Sequence, residues 1–452
     1  MRVHLGLPTV AGFGQLVTHS APGILTQEST VDAEVADALR AAGTVELVRP
    51  YHGVVVHGDM SGDLGAAYPE APRPDLTAVT TAAVLSATGR RVVVRDLNAT
   101  REPYDPAPAD VRLVKIQLAT WEADLEFAGN LAEADPATPV ALFGATVGHL
   151  PDGADRPAVR GDAPTAVASL FDVGDVHIGR AYELFPLSHY RSGRGPIRVH
   201  LQASRGCNRT CRYCPYIRTL GRWSGREPDA IGQDAARLVE LGVTEIQFRD
   251  QDFASDRDHA VEVARAVGRA GRGVLRWSVE GNLDRMTPEV LRALREGGAS
   301  EVIVGIESVD RAVLRSARRR VPADLESMVA EVRAAGLRVR GLFMIGLPED
   351  SWDRLLATVT MAIDLDLDAA QFNAYSPLPG ERFGNSRTAT VHDFVPFGND
   401  FRYRTCEHMS QQEVRFGRAL ATAAFEAHRA GDTELREHHL ARIRLRAEGR
   451  AA

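Results

Sequence analysis

The sequence predicts an α/β protein made of two parallel-sheet units followed by a short helical C-terminal region. Two observations carry this prediction. Apolar strands alternate with amphipathic helical stretches along most of the 452 residues, and the connections between them are short. The predicted domains are an N-terminal unit over residues 1–185, a partial (β/α)6 barrel over 196–385 and a helical region over 386–452.

The N-terminal unit has the pattern of a doubly wound, Rossmann-like domain. Helical periodicity and apolar runs succeed one another, and turn residues such as Gly89 and Gly144 separate them. This alternation places the strands parallel in one open sheet. The predicted elements, in chain order, are a helix over Asp75–Ala87, strands over Val92–Val94 and Val111–Leu118, a helix over Trp121–Ala134 and a strand over Pro139–Phe143.

The second unit is more regular and predicts six consecutive β/α units. Six such units amount to three-quarters of a β/α barrel. Gly242, Gly297 and Gly336 stand where helix C-caps belong. The predicted strands are Ile197–Gln202, Thr244–Phe248, Val274–Val279, Glu301–Ile306, Val339–Ile345 and Ala370–Tyr375, and the helices between them include Asp229–Leu241, Pro288–Glu296 and Ala323–Ala335.

Composition and charge favour a soluble cytoplasmic protein without nucleic-acid or membrane partners. The chain has 53 Lys and Arg against 60 Asp and Glu, a net charge of −7, which offers no general attraction to polyanions. No uninterrupted apolar run is long enough to span a bilayer. Pro8, Gly12 and Gly14 interrupt the apolar N-terminus, so a signal peptide is not expected.

Polar residues alternate along two of the predicted barrel strands. Strands of a parallel sheet that is covered on both faces should be almost entirely apolar. Two explanations remain open, namely a lumen that holds a polar ligand and edge strands that face water. The alternating residues are Arg276, Ser278 and Glu280 in one strand and Gln371, Asn373 and Tyr375 in the other.

Three of the four cysteines fall within eight residues, on the loop that follows the first barrel strand. Cys207, Cys211 and Cys214 have the spacing C-x3-C-x2-C, at the barrel edge where active sites form. Three thiolates can hold three irons of a four-iron cluster and leave the fourth iron open to a chelating ligand. Structural zinc would need a fourth ligand, and a redox dithiol needs only two thiols. Cys406 is distant in sequence and is not expected to be a ligand.

The segment from Cys207 to Cys214, followed by Pro215 and Tyr216, resembles the radical S-adenosylmethionine (SAM) superfamily. The resemblance covers roughly residues 196–385. It implies a [4Fe–4S] cluster and SAM as cofactors, with cleavage of SAM to a 5′-deoxyadenosyl radical. It also implies that several positions in order along the barrel meet the adenine, amino group and ribose of SAM: Tyr213, Phe248, Asp250, Glu280, Gly305, Glu307 and Ser308.

The N-terminal unit resembles the cobalamin-binding domain that precedes the barrel in one large subgroup of this superfamily. The match lies in Gly89–Asp96, Phe143–Ala145 and Arg160–Asp162. The chain lacks the pattern D-x-H-x-x-G, which would supply a histidine ligand to cobalt. Two interpretations stay open: a cobalamin site, which is allowed but not favoured, and a domain without a cofactor that shapes the substrate cavity.

As a whole, the chain resembles the radical SAM diol dehydratases of apramycin-type aminoglycoside antibiotic biosynthesis. The likeness lies in length, domain order and the C-P-Y sequence after the cluster motif. It implies a lyase-type reaction, the dehydration of a diol at the 3′ position of a paromamine-like aminosugar. Such a dehydration needs a base, an acid and an added electron, and the expected catalytic groups are Tyr216, Asp252 and Glu280.

The alternative reaction is cobalamin-dependent C-methylation of a natural-product intermediate. A purely binding role is disfavoured because all three cysteines and the SAM motifs are intact. The electron is expected from a flavodoxin- or ferredoxin-type donor or a partner reductase. Six arginines flank the cysteines, and one or two of them are expected to bind the SAM carboxylate or the donor: Arg205, Arg209, Arg212, Arg218, Arg222 and Arg226.

Overall fold

The structure is a computed structural model, described here for residues 29–51, 74–117, 121–144, 147–148, 150, 154, 156–191, 195–214, 220–271, 273–322, 324–375 and 406–449. These residues form two six-stranded sheets and one two-stranded hairpin. None of the helices in these ranges is long and apolar enough to cross a membrane.

The N-terminal unit is an open, doubly wound sheet. Its strands are β1 (Thr30–Val31), β2 (Thr44–Arg49), β3 (Arg91–Asp96), β4 (Val111–Lys115), β5 (Val140–Gly144) and β6 (Ala158–Arg160). Its helices are α1 (Ala33–Ala41), α2 (Leu76–Ala87), α3 (Leu97–Thr100), α4 (Trp121–Ala134), α5 (Ala163–Phe171) and α6 (Ile178–Ala181).

The strand order of this sheet places its topological switch point between β2 and β4. The order is β1-β6-β5-β4-β2-β3, and every pair is parallel except β1 with β6. The chain leaves β2 towards β3 on one side and then returns to β4 on the other. Sheets of this kind bind ligands outside the carboxyl ends of the strands at such a point. The predicted Rossmann-like architecture is confirmed.

The second sheet is the predicted six-stranded half-barrel. Its order is β14-β13-β12-β11-β10-β7, and all five pairs are parallel. The strands are β7 (Arg198–Leu201), β10 (Glu245–Phe248), β11 (Arg276–Gly281), β12 (Ala299–Glu307), β13 (Arg338–Ile345) and β14 (Ala369–Ala374). The short strands β8 (Ser204–Arg205) and β9 (Ser224–Gly225) form a separate hairpin after β7. The helices are α7 (Pro228–Glu240), α8 (Arg257–Gly271), α9 (Pro288–Glu296), α10 (Arg311–Ser316), α11 (Leu325–Ala334) and α12 (Trp352–Asp364).

Strand register shows that the alternating polar residues share one face of the half-barrel. Trp277 and Val279 of β11 are fully buried, and Trp277 Nε1 donates to Gly297 O at the end of α9, so this face packs on helices. The opposite face of the neighbouring strands lines the lumen, and it carries apolar residues (Ile303, Leu342 and Met344) beside these polar ones: Gln247, Ser278, Glu280, Glu301, Arg340, Gln371 and Asn373. The lumen explanation therefore applies to β11, which is an interior strand, and also to the edge strand β14.

The C-terminal region packs on the helix-facing side of the last two barrel strands. Helix α13 (Gln411–Arg429) begins with a capping box between Ser410 and Glu413, and α14 (Thr433–Ala447) packs against it and α12. Phe425 of α13 meets Phe372 of β14 with ring centroids 6.4 Å apart, on the side of the strand that Phe372 shares with Phe343. The helical character predicted for this region is confirmed for residues 411–429 and 433–447, and the domain boundaries stay predictions.

One local prediction needs correction. The third barrel strand starts at Arg276 rather than Val274, because Gly273 has φ +77° and the Val274 side chain is exposed. Gly297 is the C-cap of α9, as predicted, with φ −74°, and Gly298 after it takes φ +92°. Gly297 is required for another reason, since a Cβ there would lie 2.4 Å from Ala264 O of α8.

Replacing Gly297 by Ala should destabilise the barrel because α8 and α9 touch backbone to backbone at this point. Overpacking of this kind typically costs about 1–3 kcal/mol in free energy of unfolding. Urea denaturation measures it, with Gly174→Ala as the matched control, since a Cβ at Gly174 meets nothing within 4 Å. Equal stability of the two variants would contradict the packing described here.

Candidate active site

The three clustered cysteines lie on a segment that leaves the carboxyl end of β7 and is closed at its base. We define the cysteine segment as residues 203–214. The β8–β9 hairpin pairs Ser204 with Gly225 and Arg205 with Ser224, so the chain returns beside its own starting point. Gly206 has φ +75°, and a Cβ there would lie 2.5 Å from Arg222 O, so only glycine fits.

None of the three cysteines forms a disulfide, so all three thiols suit an iron–sulfur cluster. Cys207 and Cys211 are buried and Cys214 is half-buried. Burial raises the pKa of Cys207, so metal binding would be needed to hold it as a thiolate. Among the described residues, no group of three or more His, Cys, Asp or Glu side chains could hold a metal ion. A four-iron cluster has a separate iron for each thiolate, so its ligands need not converge on one ion.

A buried polar network joins the cysteine segment to β12. The Arg319 guanidinium donates to Gly305 O and to Asn282 Oδ1, and its Nε lies 3.9 Å from Glu307 Oε1. Tyr213, inside the cysteine segment, donates its hydroxyl to the same Glu307 oxygen at 2.9 Å. Burial alone would lower the pKa of Arg319, but Tyr213, Glu307 and Cys211 together raise it, so the cation stays charged.

Glu307 occupies a backbone conformation that non-glycine residues rarely adopt. Its φ is +66°, at a register shift between β12 and β13. Such strain persists only where surrounding contacts hold it, and it concentrates at functional sites. Here the contacts come from Tyr213 and Arg319. Gly305 leaves room for them, since a Cβ there would lie 2.6 Å from Glu307 Oε1 and 2.8 Å from Arg319 Nη2.

Sequence reasoning missed Arg319 and Asn282. Arg319 stands in a run of three arginines, and its two neighbours are exposed while it is 9% exposed. Nothing in the run itself distinguishes the buried member. The structure brings Tyr213, Gly305 and Glu307 together with these two, as the predicted site requires.

Other predicted cofactor-binding residues have different surroundings. The Asp250 carboxylate accepts from Ser204 Oγ at 2.5 Å, from Ser204 N and from Ala203 N at 3.2 Å, so it fixes the start of the cysteine segment. Burial raises the pKa of Asp250 to about 7, against the lowering effect of these hydrogen bonds. Its predicted contact with the SAM amino group stays a prediction.

The Phe248 and Ser308 side chains serve packing and loop geometry. Phe248 is 0% exposed, and its ring packs edge to face on Phe253 and Trp277; its predicted cofactor contact stays a prediction. It lies on the helix-facing side of β10, the same side as Ile246. Ser308 is buried, and its Oγ accepts from Asp310 N at 3.1 Å just before α10.

The structure describes two of the three predicted catalytic groups, Asp252 and Glu280. Asp252 is fully buried, with Arg285 Nε 3.2 Å and Arg209 Nε 3.8 Å from its Oδ2. Burial raises its pKa, while Asn282 and these arginines lower it. Glu280 is 30% exposed, and its Oε2 lies 3.4 Å from Arg249 Nη1. Tyr216 lies outside the described residues, as do the loop residues 376–380.

Most of the flanking arginines are held by protein partners. Arg212 donates to Ser316 O at the end of α10, and Arg209 binds both oxygens of Asp284. Arg205 and Arg226 bind carboxylates of other elements, at Asp162 and Asp234. Arg222 is exposed, and Arg218 lies outside the described residues. Each of these four arginines therefore has a protein partner.

At the switch point, the described carboxyl edge of the N-terminal sheet carries charged side chains that are paired with one another. Arg49 Nη1 lies 3.3 Å from Asp96 Oδ2, and the same carboxylate accepts from the Tyr190 hydroxyl at 2.6 Å. Lys115 Nζ lies 3.5 Å from Asp75 Oδ1. All five side chains are buried. Burial raises the pKa of Asp75, but Lys115 and Arg49 outweigh it and lower the pKa, so the carboxylate is ionised.

Comparison with known proteins identifies the barrel. Residues 201–362 match the model of the Radical SAM superfamily. The chain is 29% identical over 205 residues to the uncharacterized methyltransferase PH0819 of Pyrococcus horikoshii, covering 45% of this chain and 44% of that protein. It is 31% identical over 193 residues to the cytidylyl-2-hydroxyethylphosphonate methyltransferase of Streptomyces wedmorensis, covering 40% of this chain and 35% of that protein. The chain thus spans less than half the length of these curated relatives.

Solved structures of similar fold cover most of the chain. The radical SAM methyltransferase TsrM from Kitasatospora setae, with tryptophan and a SAM analogue bound, superposes with a TM-score of 0.57 at 17% identity, over 76% of this chain and 75% of that one. The cobalamin-dependent SAM radical enzyme OxsB superposes with a TM-score of 0.55 at 12% identity, over 86% of this chain and 61% of that one. At these identities the likeness shows the fold alone.

The chain therefore carries a radical SAM domain, and this domain implies a [4Fe–4S] cluster and SAM as cofactors. The expectation of a diol dehydratase gains no support from these comparisons. Its alternative, methyl transfer, is better supported, because the relatives named above are methyltransferases.

Replacing Arg319 by Met should disrupt the network, because it leaves Glu307 buried without its cation. Removing one partner of a buried ion pair typically costs about 3–5 kcal/mol in free energy of unfolding. Thermal or urea unfolding of the protein before iron is added measures the effect, with the exposed neighbour Arg320→Met as the matched control. A loss below about 1 kcal/mol, the range of exposed pairs, would contradict the network.

Proposed function

We propose that this chain is a radical SAM methyltransferase acting on a polar small molecule. The relatives carry the proposal: two curated methyltransferases match 45% and 40% of this chain at 29% and 31% identity. TsrM, itself described as a radical SAM methyltransferase, shares the fold over 76% of this chain.

The lumen supports a small polar substrate. Its described walls carry amide, hydroxyl and charged groups beside apolar ones, whereas strands covered on both faces are almost entirely apolar. Gln371 Nε2 donates to Asn373 Oδ1 at 3.0 Å, and Glu301 lies 3.3 Å from Arg340. Polar groups at fixed positions orient a ligand and reject apolar competitors. An aminosugar, the substrate class expected from the sequence, matches such walls.

The proposed roles at the site follow the contacts of each residue. Cys207, Cys211 and Cys214 would hold the cluster, which supplies the electron that cleaves SAM. Tyr213, Gly305 and Glu307 would face SAM, since they share one buried network beside the cysteine segment. Arg319 would hold Glu307 in place and would oppose the rise in the pKa of Glu307 that burial causes. We also propose a flavodoxin- or ferredoxin-type donor as the source of the electron.

The solved structures of TsrM and OxsB contain cobalamin. Whether cobalamin fits this chain can be judged from the side chains at the carboxyl edge of the N-terminal sheet. The described side chains at the switch point include no histidine, and Arg49 and Lys115 are already paired with Asp96 and Asp75. These residues do not fit a cobalt-ligating site. We therefore derive no step through cobalamin, and methyl transfer rests on the relatives.

A second candidate is the dehydration of a diol, because this reaction does not use a cobalt site. Radical dehydration needs an acid, a base and an electron and no second cofactor, so the paired charges at the N-terminal edge are compatible with it. Asp252 and Glu280 are the described acid–base candidates, and Tyr216 remains one from the sequence. For a dehydratase, the proposed substrate is a paromamine-like aminosugar that loses a hydroxyl at its 3′ position.

Anaerobic turnover with SAM that carries a deuterated S-methyl group separates the two reactions. The reconstituted protein receives a reductant and candidate aminosugars, with and without cobalamin, and products are analysed by mass spectrometry. Methyl transfer predicts a product heavier by the labelled methyl group. A product lighter by one water, without label, contradicts the methyl-transfer proposal and supports dehydration, and Tyr216→Phe should then cleave SAM while losing most of that product.

A further inference from the structure

The cysteine segment is attached to the N-terminal unit through Arg205, two residues before Cys207. Arg205 Nη1 donates to Thr165 Oγ1 at 2.6 Å, and its Nη2 donates to Asp162 Oδ2. Both partners belong to the start of α5, in the N-terminal unit. Arg205, which lies in β8 beside the cysteine motif, is thus bound by helix α5 of the N-terminal unit.

Asp162 is built into its own element independently of Arg205. It is the N-cap of α5, where its Oδ2 accepts from Thr165 N at 3.1 Å, and its backbone N–H donates to Ser29 Oγ at 3.1 Å. Its side chain is 0% exposed, and its Oδ1 has no hydrogen-bond partner among the described residues. A buried carboxylate in this position needs a counter-charge, and Arg205 provides it.

The returning end of the segment has a matching anchor. Arg226, directly after β9, donates through Nη1 to Gln202 O and through Nη2 to Val176 O and Asp234 Oδ2, each at 2.9 Å. Asp234 in turn accepts from Gly179 N of α6 at 2.9 Å. Two arginines therefore tie both ends of the closed loop to the stretch 162–179.

We infer that Arg205 is a positioning residue that anchors the cysteine segment on the N-terminal unit, with Asp162 as its counter-charge. The N-terminal unit then contributes to assembly of the iron site whether or not it binds a cofactor. The inference rests on the three cysteines as cluster ligands, and it is independent of methylation or dehydration.

Alkylation of the iron-free protein tests the anchor without any turnover. The rates at which iodoacetamide modifies Cys207, Cys211 and Cys214 are measured by peptide mass spectrometry, with the buried Cys406 as internal reference. Asp162→Asn keeps the N-cap, because Asn caps helices as well as Asp does, and removes only the charge. Arg205→Met and Asp162→Asn should each speed alkylation of Cys207 about tenfold, leave Cys406 unchanged, and lower the iron retained after reconstitution.

Three comparisons sharpen this test. The double variant should react no faster than either single variant, since both remove one interaction. Arg205→Lys should restore part of the protection, and the exposed Arg222→Met should behave as wild type. Unchanged Cys207 rates in Arg205→Met overturn the inference, and so does equal acceleration of all four cysteines, because that would make Arg205 a support of the whole fold. Failure of the wild type to bind iron would instead remove the cluster assignment and the proposed function with it.

Discussion

The candidate site depends on one buried cation at the carboxyl edge of the barrel. The Arg319 guanidinium donates hydrogen bonds to the backbone carbonyl of Gly305 and to the side-chain amide oxygen of Asn282. Glu307 and Cys211 raise the pKa of Arg319 further and so stabilise its charged form. A buried charge is tolerated when it is paired with an opposite charge and hydrogen-bonded. This requirement explains why position 305 has no room for a Cβ and why Glu307 is held with φ +66°. The cysteine segment is joined to the same network by Tyr213.

The repeating architecture was predictable because its signals are local. Each barrel strand is a short segment between helix caps, and both ends of all six strands lie within two residues of the prediction. The cysteine spacing is equally visible in the sequence. The burial of Arg319 is not, because it depends on residues after β11 and in β12, which are distant from Arg319 in the sequence. The helix-facing position of the Phe248 ring follows from strand alternation, since Phe248 lies on the same side of β10 as Ile246.

The N-terminal unit illustrates the difference between a fold and a site. Its sheet has the doubly wound order and the switch point expected of a ligand-binding domain. At that point Arg49 and Lys115 are paired with carboxylates, and Tyr190, which follows α6, donates its hydroxyl to the Asp96 carboxylate. Function is carried by such side chains rather than by the fold. The unit instead contributes an anchor, Asp162, to the segment that carries the cysteines.

The most direct test of the central claim is the iron content and SAM cleavage of single cysteine variants. The account predicts about four irons per chain in the reconstituted wild type. Cys207→Ala, Cys211→Ala and Cys214→Ala should each lose the cluster and yield no 5′-deoxyadenosine, while Cys406→Ala, whose thiol donates to Asp350 O, should retain both. A full cluster in any of the first three variants, or its loss in Cys406→Ala, would contradict the assignment of the site.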